Sequence, residues 1–175
     1  MALEFLQQLD TSILIFINKT LANPFFDFIF QFTHLFPYIF WALLIGFFVL
    51  KQKNKLALLM IIAVALDLLL VPVLKTTISR ERPYQVLDVR QLVPEEDNTS
   101  FPSNHTMLSF LLSTIVLSYY RRFGMALYAL SILVAIGRVY VGVHYPSDVI
   151  GGALIGIMLA FAMLKFENML FRKKE

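Results

Sequence analysis

Residues 56–74 read LALLMIIAVALDLLLVPVL, nineteen positions with one charged side chain, Asp67. A helix built from this run is apolar on every face, so it cannot rest one polar side on water. At 1.5 Å per residue it is also long enough to cross the roughly 30 Å of hydrocarbon in a bilayer. Runs of similar character recur along the chain. Charged residues make up only 15% of the 175 residues, and mean hydropathy is +0.72. A soluble domain carries about 25% charged residues. A soluble all-helical protein with a greasy core does not account for several runs that are apolar all round. The expected fold is therefore all-α: a polytopic transmembrane helix bundle of five to six spans.

Five spans are expected, at roughly Gln31–Leu50, Leu56–Lys75, Ser103–Tyr119, Met125–Val143 and Asp148–Leu170. The segment before them, "TSILIFINKTL" followed by "NPFFDFIFQF", is expected to form an N-terminal interfacial or re-entrant helical segment over residues 1–30, or a sixth span. The whole chain, 1–175, is expected to be one domain. The first ten residues lack the charged start, apolar core and small-residue site of a cleaved signal peptide. There is no cysteine, which excludes disulfides and thiolate metal sites. A net charge of +3 carries no nucleic-acid signal.

Basic clusters set the orientation. "KQKNK" follows the first span, Arg121 and Arg122 follow the third, and "FRKKE" follows the fifth. Alternate ends of five spans share one side, and all three clusters fall there, so that side is expected to be cytoplasmic. Residues 76–102 then form an outer loop, and the turn Val143–Ser147 lies with it. This loop also carries Arg80, Arg82 and Arg90, against the same rule. Its acidic run "PEEDN" is expected to be a solvated face.

Three polar groups converge on that outer side: "KTTISRERP" ending the second span, "PSNH" opening the third, and "GRVYVGVHYPSD" between the fourth and fifth. Charges in or near a bilayer are costly, about 2.5–3.5 kcal/mol each at a helix centre on insertion scales. One such residue is an ordinary headgroup anchor, whereas the joint pattern is a site.

The pattern resembles the type 2 phosphatidic acid phosphatase superfamily over about Leu56 to Leu170. Lys75 with Arg82-Pro83 looks like its first motif and Pro102-Ser103-Asn104-His105 its second; Arg138, His144 and Asp148 look like its third. Two positions depart from the usual pattern. Asn104 stands where glycine is usual, and Gly137 stands in place of the serine before the third-motif arginine.

The resemblance implies a membrane-embedded lipid phosphatase whose partners are a lipid phosphate and the bilayer. A phosphate monoester carries about −1.5 to −2 charges and needs charge-assisted donors. Lys75, Arg82 and Arg138 would supply them, with Ser103 and the Asn104 N–H at a helix start that attracts anions. His144 is the expected nucleophile, Asp148 orients its ring, and His105 protonates the leaving oxygen and then activates water. The resemblance implies a phosphohistidine intermediate and no metal or other cofactor. Asp67 is expected to be structural, and "GGALIG" offers small residues for close helix packing. The expected substrates are undecaprenyl pyrophosphate, lipid A 1-phosphate or phosphatidylglycerol phosphate, at the outer face of a bacterial-type cytoplasmic membrane. "FPSNHT" and "GVHYPSDVIGG" favour the first. The alternative is a transporter that binds an anion with the same cations and does not hydrolyse it.

Overall fold

The computed structural model describes residues 2–95 and 97–171 and is all-helical. Its elements are α1 (Ala2–Ile15), a π-helical turn (Phe16–Thr20), α2 (Pro24–Phe30), a 3₁₀ turn (Gln31–Thr33), α3 (Phe36–Leu50), α4 (Asn54–Ile78), α5 (Pro83–Val86), α6 (Asn104–Tyr119), α7 (Arg121–Tyr140) and α8 (Pro146–Phe171). Among the described residues, three helices are long and apolar enough to cross a membrane: Asn54–Ile78, Arg121–Tyr140 and Pro146–Met169. The chain is an integral membrane protein. The basic residues Arg172, Lys173 and Lys174 and the acidic Glu96 lie outside the described residues.

One expectation about spans needs correction. The first expected span, Gln31–Leu50, is not one helix. The backbone breaks at His34 and Leu35, and α3 restarts with Pro37 in its first turn, leaving 15 residues. The N-terminal segment folds as a bent pair, Glu4–Thr20 with Pro24–Thr33, at 114°. Asn23 makes the corner by accepting the Phe26 N–H at 3.0 Å, with Pro24 opening α2.

The centre of the bundle is α6. His105 through Val116 are all buried, packed between α4, α7 and α8. This explains why a membrane helix carries so many hydroxyls. Ser113 bonds Ser131 at 2.8 Å, Thr114 bonds Tyr128 at 2.6 Å, and the Trp41 indole donates to Ser109 at 3.3 Å. Such bonds join helices where lipid offers no hydrophobic drive between them. The small residues of α8 do what their composition suggests. A Cβ on Gly152 would stand 2.7 Å from the Ser103 carbonyl oxygen, and one on Gly156 2.3 Å from that of Met107. Large apolar side chains instead face outward on α4 and α8, among them Leu58, Leu69, Leu154 and Phe161, where acyl chains would surround them.

The short α6–α7 and α7–α8 connections, and the contacts of the long segment between α4 and α6, place the C-terminal ends of α4 and α7 and the N-terminal ends of α6 and α8 together. Lys53 and Arg121 lie at the other end.

Candidate active site

Lys75 sits in the last turn of α4, which stops at Ile78 because Ser79 turns left-handed at φ 47°. The helix does not run on to Arg82. That residue precedes α5 in extended conformation, and Pro83 takes the first helical position. Ser103 precedes α6, so Asn104 and His105 open that helix. Arg138 is in the last turn of α7, and Gly142 then reverses the chain at φ +81°. A side chain is excluded there, since a Cβ would lie 2.2 Å from the Arg90 carbonyl oxygen. His144 follows in the turn, and Asp148 falls in the first turn of α8 behind Pro146, as expected.

These residues come together around a cavity of about 390 Å³. Lys75, Arg82, Asn104, His105 and His144 line it, with Tyr38 and Leu68 among the residues closing its sides. Ser103, Arg138 and Asp148 lie behind this lining. Ser103 is fully buried and its hydroxyl bonds Thr106 Oγ1 at 3.1 Å. Asn104 donates to the Tyr38 hydroxyl at 3.3 Å.

Within the acidic run Pro94, Asp97 and Asn98 are exposed, but Glu95 is turned inward, which corrects the expectation of a wholly solvated face for that residue. Glu95 is drawn in against Arg138 and Arg82, the second contact at 3.0 Å, and its side chain is 8% exposed. Asp97 receives bonds from Lys75 and from Arg82, both at 2.8 Å. Burial opposes ionisation of Asp97, but the Lys75 bond and the Arg82 charge outweigh it and hold its pKa at about 2. Three buried cations would be unstable without counter-ions, and this loop supplies them. The signal was present in the sequence, as an acidic run beside an unexplained excess of cations in the same loop.

Arg138 is fully buried, and its Nε and Nη1 have no partner among the described residues. Unsatisfied donors on a buried guanidinium are rare and fit an anion-binding role. The residue before it accounts for one departure from the family pattern. A Cβ on Gly137 would lie 2.4 Å from the Thr33 methyl, so serine does not fit where α7 crosses the 3₁₀ turn.

The two histidines are held differently. His105 Nε2 lies 2.8 Å from the His34 carbonyl oxygen, which can only accept, so this nitrogen carries a proton and Nδ1 is left for proton transfer. His144 Nε2 lies 3.5 Å from Arg82 Nη1, at the limit of a hydrogen bond. Arginine only donates, so Nε2 carries the lone pair, on the side of the cavity that Arg82 and His144 both line, and Nδ1 carries the proton. Burial, followed by the charges of Arg138, Arg82 and Lys75, pushes the His144 pKa well below its ordinary value. A neutral ring is the form that can attack. Asp148 Oδ2 is 3.7 Å from His144 Nδ1, an ion-pair distance and not a hydrogen bond. That oxygen accepts the Tyr145 N–H at 2.8 Å.

Asp67 is buried in α4 below the cavity, makes no ion pair among the described residues, and keeps Oδ1 without a partner. No group of three or more His, Cys, Asp or Glu residues placed to hold a metal ion occurs among the described residues.

A family model described as the PAP2 superfamily matches residues 56–172. The chain is 34% identical over 89 residues to an undecaprenyl-diphosphatase, BcrC, of Bacillus subtilis, covering 51% of this chain and 46% of that protein. It is 35% identical over 136 residues to phosphatidylglycerophosphatase B of the same organism, covering 70% of this chain and 64% of that one. It thus spans about half to two thirds of the length of these curated relatives. The crystal structure of Aquifex aeolicus LpxE superposes with a TM-score of 0.78 at 31% identity, over 90% of this chain and 95% of that one. With its three motifs gathered at one end of a helical bundle and the family model spanning α4 to α8, the chain belongs to the PAP2 superfamily.

Proposed function

We propose that this protein is a membrane lipid phosphatase that hydrolyses undecaprenyl pyrophosphate without a metal, through a phosphohistidine on His144. The observation that carries the reading is the cavity. Lys75, Arg82 and two histidines line it at the ends of membrane helices, the buried Arg138 stands behind them, and Leu68 and Val71 on its wall let an apolar tail approach from the bilayer. Lys75, Arg82 and Arg138 bind the phosphate oxygens. His144 Nε2 attacks phosphorus as the bond to the leaving oxygen breaks, and His105, entering the step as the imidazolium with Nε2–H still on the His34 carbonyl, donates its Nδ1 proton to that oxygen and becomes neutral. Water then attacks the phosphohistidine while His105 takes a proton from it. Inorganic phosphate leaves, and His144 is regenerated.

The diphosphate is favoured by the undecaprenyl-diphosphatase relative and by the "FPSNHT" and "GVHYPSDVIGG" segments. The phosphatidylglycerophosphatase relative supports phosphatidylglycerol phosphate as the second substrate to test. The deciding measurement is phosphate release by the purified protein from these two lipids and lipid A 1-phosphate, with EDTA present. Release from the diphosphate at the highest kcat/KM is expected. Binding without release would identify an anion-binding or transport protein.

Two further results are expected. Lys75→Ala, Arg82→Ala and Arg138→Ala each lower kcat/KM by about 10²–10³-fold, the usual cost of removing a donor aimed at developing charge. Orthovanadate inhibits the wild type by binding the same three side chains. Full activity in all three variants without vanadate inhibition would remove the phosphate site.

The site is proposed to face the outer side of the membrane, in a bundle of five or six spans. The cysteine-free sequence makes this testable. Exposed positions Lys53, Asn98 and Arg121 can each be changed to cysteine. In intact cells an impermeant thiol reagent is expected to label residue 98 alone. Labelling at 53 would invert the orientation.

A further inference from the structure

Outside the motifs, one buried ion network touches the catalytic group. Arg80, in the loop after α4, donates from Nη1 to Asp148 Oδ1 at 2.7 Å and from Nη2 to Asp10 Oδ2 at 2.6 Å. Its guanidinium lies over the Tyr145 ring, 3.9 Å from the centroid, and Nη1 also reaches the Ser147 hydroxyl at 2.6 Å. Asp10 closes the ring by accepting the Ser147 N–H at 2.8 Å. Asp10 is 7% exposed and Asp148 not at all. A carboxylate buried in an apolar helix is costly unless paired, so Asp10 in α1 needs this cation.

We propose that Arg80, held by Asp10 of α1, is a positioning residue that fixes Asp148 as a carboxylate in the rotamer facing His144. This rests on the proposed role of His144 as nucleophile. Each oxygen of Asp148 has one fixed donor: Arg80 for Oδ1, the Tyr145 N–H for Oδ2. The second donor is backbone and cannot be mutated away, and the Ser100 hydroxyl that also bonds Asp148 is neutral, so Arg80 is the charged side chain that holds the orientation. Lys75 and His144 also face Asp148 from α4 and from the preceding turn, and Ser100 from the outer loop. Among the cations, only Arg80 makes a hydrogen bond to it among the described residues. Asp10 lies outside residues 56–172, so the network ties the N-terminal helix to the chemistry.

The sign of each perturbation separates positioning from plain stability. Arg80→Met removes a cation within hydrogen-bond range, so Asp148 takes up a proton more readily. Arg80→Lys restores a cation without the fork. Asp10→Asn keeps an amide oxygen that can still accept from Arg80 and hold it, while removing the negative charge near Asp148. The experiment compares kcat and KM from pH 5 to 9 for the purified wild type and these three variants, with thermal unfolding as a check on the folded fraction. Arg80→Met is expected to lower kcat at the acid end by roughly tenfold or more with KM little changed. Its acid limb moves up by about one pH unit, the usual effect of losing an opposite charge. Arg80→Lys recovers part of both, and Asp10→Asn moves the limb the other way. An unshifted limb in Arg80→Met, or a shift in the same direction in Asp10→Asn, overturns the proposal while leaving the phosphatase reading intact. A wild type that releases no phosphate overturns both.

Discussion

Changing His144 to alanine is expected to reduce turnover by about 10⁴–10⁶-fold on every substrate, as loss of a nucleophile does. The geometry explains the size of the effect. His144 Nε2 is the ring nitrogen facing the cations, 3.5 Å from Arg82. Water placed in the vacated volume has no imidazole to form a bond with phosphorus. Rapid quenching with labelled substrate should show acid-labile phosphate on the wild-type protein and none on His144→Ala. Labelled protein that persists in His144→Ala and disappears in His105→Ala would exchange the two roles.

His105→Ala is expected to be selective where His144→Ala is not. An alkoxide leaving a phosphate monoester is far more basic than a phosphate leaving a diphosphate, so it needs a proton in the transition state. The loss should approach the ~10²–10⁴-fold of general acid catalysis for phosphatidylglycerol phosphate and be much smaller for undecaprenyl pyrophosphate. The phosphoenzyme should still form from the diphosphate. Equal losses on both substrates would place His105 in binding or folding instead of proton transfer. Because the His34 carbonyl fixes the ring at 2.8 Å, Nδ1 is the nitrogen at stake, and glutamine, which keeps one donor, should not rescue the monoester reaction.

The motif residues were legible because their chemistry is unusual in apolar surroundings and their spacing is fixed by helix ends. Lys75, His105, Arg138 and His144 could each be placed at one membrane face from the order of the spans. Their depth could not. Ser103, Arg138 and Asp148 stand behind the cavity wall, a consequence of how α6, α7 and α8 pack. Pairings between distant segments were also hidden. Arg80 finds Asp10 across 70 residues and Lys75 finds Asp97 across 22, and no periodicity records either. The break at His34 and Leu35 escaped because Gln31, Thr33 and His34 are uncharged and flanked by Phe and Leu, so they read as polar positions within one apolar span. The burial of α6 was more accessible: Ser109, Ser113 and Thr114 are poor company for lipid, and each bonds a neighbouring helix or its own backbone.

Glu95 and Asp97 have a consequence for what the cavity will accept. In the resting protein they already neutralise much of the charge on Lys75, Arg82 and Arg138. Ligand entry is therefore an exchange of anions and not the filling of a bare positive pit. A terminal phosphate, with close to two negative charges, can take over from both carboxylates at nearly constant net charge. A phosphodiester brings one charge and leaves either a cation uncompensated or a carboxylate crowded against it. On the proposed phosphatase reading, the abundant diester lipids of a membrane are therefore expected to compete poorly with a terminal phosphate, and the acidic loop is what sets that difference.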